Sequence, residues 1–243
     1  MIKHIARLSV AGLLVFASVG FAQQYTMELT GSPVTTVGSG MYTTTVGPYT
    51  GSIWQGLNAS TSSTPIYSGY IICDDFADDV SEDVPWNATA TNAADVSGSN
   101  VLFSEGNDNG TEVTNQQEVY NAVAWLANQL VLPANATDSI AQTNYSVAIW
   151  DILDPSQVTA ADIIINSTEQ TLITTAFQEA VDGYQGSNVT VYTPYPATTP
   201  GTNSSQEFLV VPEAPTPALV AADLLGLMSV ILFLRRRKFR PAQ

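Results

Sequence analysis

Two groups of residues in this chain carry side chains capable of chemistry. Cys73 is the only cysteine, and the six carboxylates of Asp74, Asp75, Asp78, Asp79, Glu82 and Asp83 follow it within ten residues. A lone thiol cannot close an internal disulfide, so it is buried as a small apolar group, paired with another chain, or consumed in some other covalent bond. The carboxylates offer hard oxygen ligands for Ca²⁺, and an ion would relieve their mutual repulsion. Their spacing lacks the central glycine and the Asp-x-Asp-x-Asp register of an EF-hand loop, so a solvated acidic loop is the plainer reading.

The groups that usually assist such side chains are missing. The seven Lys and Arg residues, Lys3, Arg7, Arg235, Arg236, Arg237, Lys238 and Arg240, sit at the two ends, and the single histidine is His4. A body with neither His nor Lys has no ordinary general base, which predicts a non-enzymatic protein. Paired carboxylates raise a glycosidase reading, but acids crowded on one loop do not flank a sugar, and Trp54, Trp86, Trp125 and Trp150 are not spaced as a platform. The net charge of −15 excludes nucleic acid and anionic lipid as partners, because nothing in the body neutralises phosphate. Divalent cations, basic proteins, neutral extracellular polysaccharide and other surface proteins remain compatible. Eight Asn-x-Ser/Thr triplets fall in a chain rich in those residues, and composition accounts for them.

Both ends read as export signals. Lys3 and Arg7 precede an apolar run from Leu8 to Phe21 with a small-residue exit at Ala22, which predicts a signal peptide over 1–22 for signal peptidase. At the other end, Val211-Pro212-Glu213-Ala214 precedes an apolar run over 218–234, broken by Asp223, and then Arg235, Arg236, Arg237 and Lys238. That run is long enough for a short membrane span with a cytoplasmic basic stop. Pro-Glu, a short span and terminal arginines in this order resemble the PEP-CTERM sorting signal, here over 212–243, with the usual second proline displaced to Pro215. The resemblance implies cutting by a membrane exosortase near Pro212-Glu213, transient anchoring in the inner membrane, and release or attachment at the cell surface of a matrix-forming or biofilm-forming bacterium.

Between the signals, the pattern predicts an α+β domain over 23–192, mainly β with a helical insertion of about three helices. Alternating stretches over 25–29 and 41–46, Gly-rich turns, and a run over 66–76 read as strands. The Asn, Ala, Ser and Gly tract over 87–110 reads as a loop. Thr114 with Gln117 forms a capping-box pattern before Val119, Val123, Leu126 and Leu130 recur at helical spacing. A second helix centres on 145–151, and a third spans 167–182 with an exit at Gly183. Returning strands follow at 188–192 and 206–211, separated by a Pro/Thr/Ser-rich linker over 193–205.

Ile72-Cys73-Asp74-Asp75 and Val147-Ala148-Ile149-Trp150 resemble landmarks of the thioester domains of Gram-positive surface adhesins, although Tyr145-Ser146 stands where those domains have Thr-Gln. The resemblance implies that a late glutamine condenses with Cys73 and that the resulting acyl group is attacked by a nucleophile on a target surface. Gln206 is the first candidate, because it begins a strand that could lie beside the Cys73 strand. Gln178 fits the hydrophobic-Gln-x-x-hydrophobic spacing better but falls inside the third helix. The expected function is therefore a secreted surface or matrix protein, with a covalent adhesin as one alternative and a filament or layer subunit self-associating through strand edges as another.

Overall fold

The computed structural model of the chain describes residues 23–33, 35–38, 44–77, 80–196 and 205–212. The expected signal peptide, the expected sorting signal from Glu213 onward with its apolar run, and Asp78 and Asp79 lie outside the described residues. Among those described, no helix is long and apolar enough to cross a membrane.

The domain is α+β. Its strands are β1 (Gln23–Gly31), β2 (Thr35–Val37), β3 (Thr44–Val46), β4 (Tyr49–Gln55), β5 (Tyr67–Cys73), β6 (Trp86–Asn92), β7 (Gly106–Asp108), β8 (Thr111–Val113), β9 (Thr190–Pro194) and β10 (Phe208–Val210). Helices α1 (Gln116–Leu130), α2 (Pro133–Ala136), α3 (Ser139–Leu153), α4 (Pro155–Ala160) and α5 (Ser167–Val181) fill the interval between β8 and β9. Six strands close into an antiparallel barrel in the order β1-β4-β5-β10-β9-β6, while β2-β3 and β7-β8 form small separate ladders.

Alternation along the strands divides the apolar residues between two cores. Met27, Ile53, Ile71, Cys73, Phe208 and Val210 fill the barrel. Ile72, Val191, Leu209 and Val211 face outward and join the core made with the helices. The end of β5 (71–73), β10 and most of β9 are therefore buried on both sides, and apolar residues there face outward where an exposed strand would be polar.

The helices follow from their own sequences. Val119, Val123, Leu126 and Leu130 bury one face of α1. The C-terminal half of α3, residues 146–153, is buried all round because this helix packs on α1 and α5 and also meets β2, β3 and β7. Asn166 caps α5 through a reciprocal box with Glu169, and Gly183 leaves the helix at φ +105°, a conformation suited to glycine.

Several expectations are corrected. The Thr114–Gln117 box does not form: Asn115 occupies the N-cap position, and Gln117 instead bonds the Ala93 carbonyl, the Val96 amide and Asn121. The second helix begins at Ser139, where Asp138 caps it through the amides of Ile140 and Ala141. Residues 87–92, expected as loop, belong to β6, and their small side chains suit a barrel wall packed from inside by Trp86, Tyr25 and Tyr192. Thr193 and Pro194, expected in the linker, complete β9 and are buried. Barrel closure leaves its six strands no free edge, so edge-to-edge association could use only the two small ladders among the described strands.

Candidate functional site

Cys73 ends β5 and Phe208 begins β10, and these two residues are register partners, as are Ile72 and Leu209. Beyond Cys73 the strands stay together through the Asp74 amide, which donates to the Glu207 carbonyl at 3.5 Å. Antiparallel pairing thus brings Cys73-Asp74-Asp75 alongside Gln206-Glu207-Phe208, and alternation sends neighbouring side chains to opposite faces.

On the barrel-side face, the Cys73 thiol donates to the Asp75 carbonyl at 3.1 Å, and the Gln206 side-chain amide donates to the same oxygen at 3.0 Å. Thiol and carboxamide thus converge on a single atom. Cys73 is 3% exposed and Gln206 9%. Burial pushes the thiol well above its ordinary range, and the carboxylates of Asp75 and Asp74 push it further. Burial thus disfavours the thiolate and shelters the thiol.

Trp150 supplies the roof. Its indole N–H donates to the Cys73 carbonyl at 3.1 Å, and its ring lies 4.9 Å from that of Phe76. A cavity of about 470 Å³ opens in front of the pair, between Tyr49, Phe76, Val80 and Trp150 and the polar groups of Ser32, Thr44, Thr45 and Gln157. Ser146, which stands where the resemblance leads one to expect a glutamine, accepts from the Gly47 amide at 2.9 Å and ties α3 to the turn before β4. α3 thereby positions Trp150 from both the turn and the strand end.

On the helix-side face lies a second, wholly buried constellation. Glu207 accepts from the Tyr120 hydroxyl at 2.5 Å, the Thr193 hydroxyl at 2.5 Å and the Leu102 amide at 3.0 Å. Asp74 is fully buried, and neither of its oxygens accepts a hydrogen bond from an N–H or hydroxyl of another residue. It faces the Glu207 carboxyl instead. Burial first, then the charges of Glu207 and Asp75, raise Asp74 well above the usual carboxylate range. Burial raises Glu207 as well, against the pull of its donors.

The structure brings Cys73 and Gln206 together and leaves Gln178 apart. Gln178 is exposed on α5, which packs on α1, α3 and β7. The acidic segment does not act as one group: Asp74 and Asp75 are buried, whereas Glu82 and Asp83 are exposed beside β1, where the Asp83 amide donates to the Leu29 carbonyl. Among the described residues, no three His, Cys, Asp or Glu side chains gather as a metal site. Sequence reasoning misses the Asp74–Glu207 pair because Asp74 sits in a run of acids that looks like solvated surface. The alternation of Cys-Asp and Gln-Glu on paired strands is the signal that separates the two faces.

Comparison of the chain with protein-family models, with curated proteins and with solved structures returns no match.

Proposed function

We propose that the chain is an exported, non-enzymatic surface protein whose Cys73 and Gln206 condense into an internal thioester, through which it bonds covalently to a nucleophile on its target. The observation that carries this reading is the convergence of the Cys73 thiol and the Gln206 carboxamide on the Asp75 carbonyl. In the first step the Cys73 sulfur attacks the Gln206 side-chain carbonyl carbon, the carbon–nitrogen bond breaks, and the thiol proton leaves with the amide as ammonia. In the second step an amine or hydroxyl attacks the acyl carbon and the carbon–sulfur bond breaks. The Cys73 thiol is regenerated and the target is joined by an amide or ester. Each molecule reacts once, which suits a body with neither His nor Lys to drive turnover.

Burial supports the chemistry in a specific way. Water competes with the intended nucleophile for an acyl thioester, and the near-complete burial of Cys73 and Gln206 limits its access. Export and exosortase sorting rest on Lys3, Arg7, the 1–22 and 218–234 runs, and Val211, Pro212, Glu213 and Arg235–Lys238. On this reading the proposed reaction takes place outside the cell, at a surface carrying polysaccharide and protein nucleophiles. The test is to treat the purified protein with methylamine: a reactive thioester gains one methylamine per chain and frees one thiol, whereas absence of both contradicts the reading.

A further inference from the structure

We propose that Asp74 and Glu207 share one proton across β5 and β10, and that this pair is a positioning clamp holding Cys73 and Gln206 side by side on the opposite face. The inference rests on the thioester reading for its purpose, but the clamp itself is a property of the fold.

Two buried carboxyls have few ways to coexist. The Asp74 oxygens accept from no N–H or hydroxyl of another residue, and the group they face is the carboxyl of Glu207. Two carboxyls attract only when one of them carries a proton; with both ionised, like charges meet in a medium that screens poorly. Between Arg7 and Arg235 the sequence holds no Lys, Arg or His to neutralise them. The remaining titratable groups around the pair are Asp75 and Cys73 on the same strand end and Tyr120 from α1, and each of these can add only negative charge.

Geometry assigns the proton. Glu207 has three donors, Tyr120, Thr193 and Leu102, which favour its charged form. Asp74 has none of these, so Asp74 carries the proton and donates it to Glu207. The direction of the shifts agrees, since Asp74 is raised well above its ordinary value by burial and by the charge of Glu207.

The consequence reaches the other face through the backbone. Asp74 directly follows Cys73, and Glu207 directly follows Gln206. The backbone bond nearest to the pair is the 3.5 Å contact from the Asp74 amide to the Glu207 carbonyl, already at the long end of the range. Loss of the shared proton sets two carboxylates against each other at this point and parts the ends of β5 and β10. Cys73 and Gln206 part with them. The clamp therefore holds under acid conditions and loosens as pH rises through the raised value of Asp74.

The experiment uses the full chain in a Gln206→Ala background, where no thioester can form and the Cys73 thiol reports on its own exposure. Timed alkylation of Cys73 by iodoacetamide is measured from about pH 4 to 9, relative to a cysteine in an unstructured peptide, for the parent, Asp74→Asn and Asp74→Ala. The asparagine amide donates to Glu207 at every pH, whereas alanine cannot donate at all. Normalised exposure in the parent is expected to climb by about tenfold or more across the range, while Asp74→Asn stays low and flat and Asp74→Ala is high throughout. A parent and Asp74→Asn with the same pH profile would overturn the clamp. Circular dichroism on each variant checks that the chain is folded. In the native Gln206 background, failure of methylamine uptake would remove the thioester while leaving this titration as an independent test of the clamp.

Discussion

The two faces of one strand end do different work with neighbouring residues. On the barrel side, Cys73 and Gln206 share one carbonyl acceptor, with Trp150 above them and a cavity in front. On the helix side, Asp74 and Glu207 are sealed against Tyr120, Thr193 and the Leu102 amide, and neither lines that cavity. On the proposed reading the first face reacts and the second holds. Two dipeptides, Cys-Asp and Gln-Glu, supply both faces because a strand turns successive side chains in opposite directions.

The sharpest way to separate the faces is to remove reactivity alone. Gln206→Ala or Cys73→Ala should abolish methylamine uptake completely, as read by intact mass, and each takes one donor from the Asp75 carbonyl at a stability cost of about 1 kcal/mol. Gln178→Ala, on the exposed side of α5, should leave uptake unchanged.

Breaking the other face should strike stability first. Glu207→Ala leaves the Tyr120 hydroxyl, the Thr193 hydroxyl and the Leu102 amide without their acceptor. At about 1 kcal/mol for each bond, urea denaturation should show a loss of about 3 kcal/mol. Uptake should fall with it, since Gln206 directly precedes Glu207 at the start of β10.

Solution pH loads the helix-side face without mutation. Asp74, Glu207, Asp151 and Glu169 are all raised by burial, so the folded state binds protons more tightly than the unfolded chain does. Stability from these groups is fully present below their ordinary values, 3.8 for Asp and 4.5 for Glu, and is lost as pH rises through the raised ones. The melting temperature should therefore fall as pH rises above about 4, and Asp74→Asn should flatten part of that slope.

The smallest effect expected is at the contact between α3 and the turn before β4. Ser146→Ala removes the acceptor of the buried Gly47 amide and should cost about 1 kcal/mol, measured by thermal melts. A modest drop in methylamine uptake should accompany it if α3 sets the Trp150 roof.

How much of this is readable in the chain depends on where the signal lies. The Cys73 strand, the helix with Val119, Val123, Leu126 and Leu130, and the Gly183 exit follow from periodicity and backbone preference, which are local. The pairing of β5 with β10 is foreshadowed only by the apolar run that Gln206 begins; barrel closure across more than about 130 residues has no local signature. Strand β6 is hidden because Asn87, Ala88, Thr89 and Ala90 look like a loop when the aromatic residues that make them a wall come largely from other strands. The acids of the segment after Cys73 look alike in sequence, and only the fold divides buried Asp74 from exposed Glu82 and Asp83.

The thioester is tested most directly by the mass of the protein taken from its native surface or medium, with peptide mapping around Cys73. A body lighter by one ammonia than its processed sequence, with Cys73 joined to Gln206, is the predicted result. A full-mass body with an unlinked Cys73 thiol that remains inert to methylamine would contradict it.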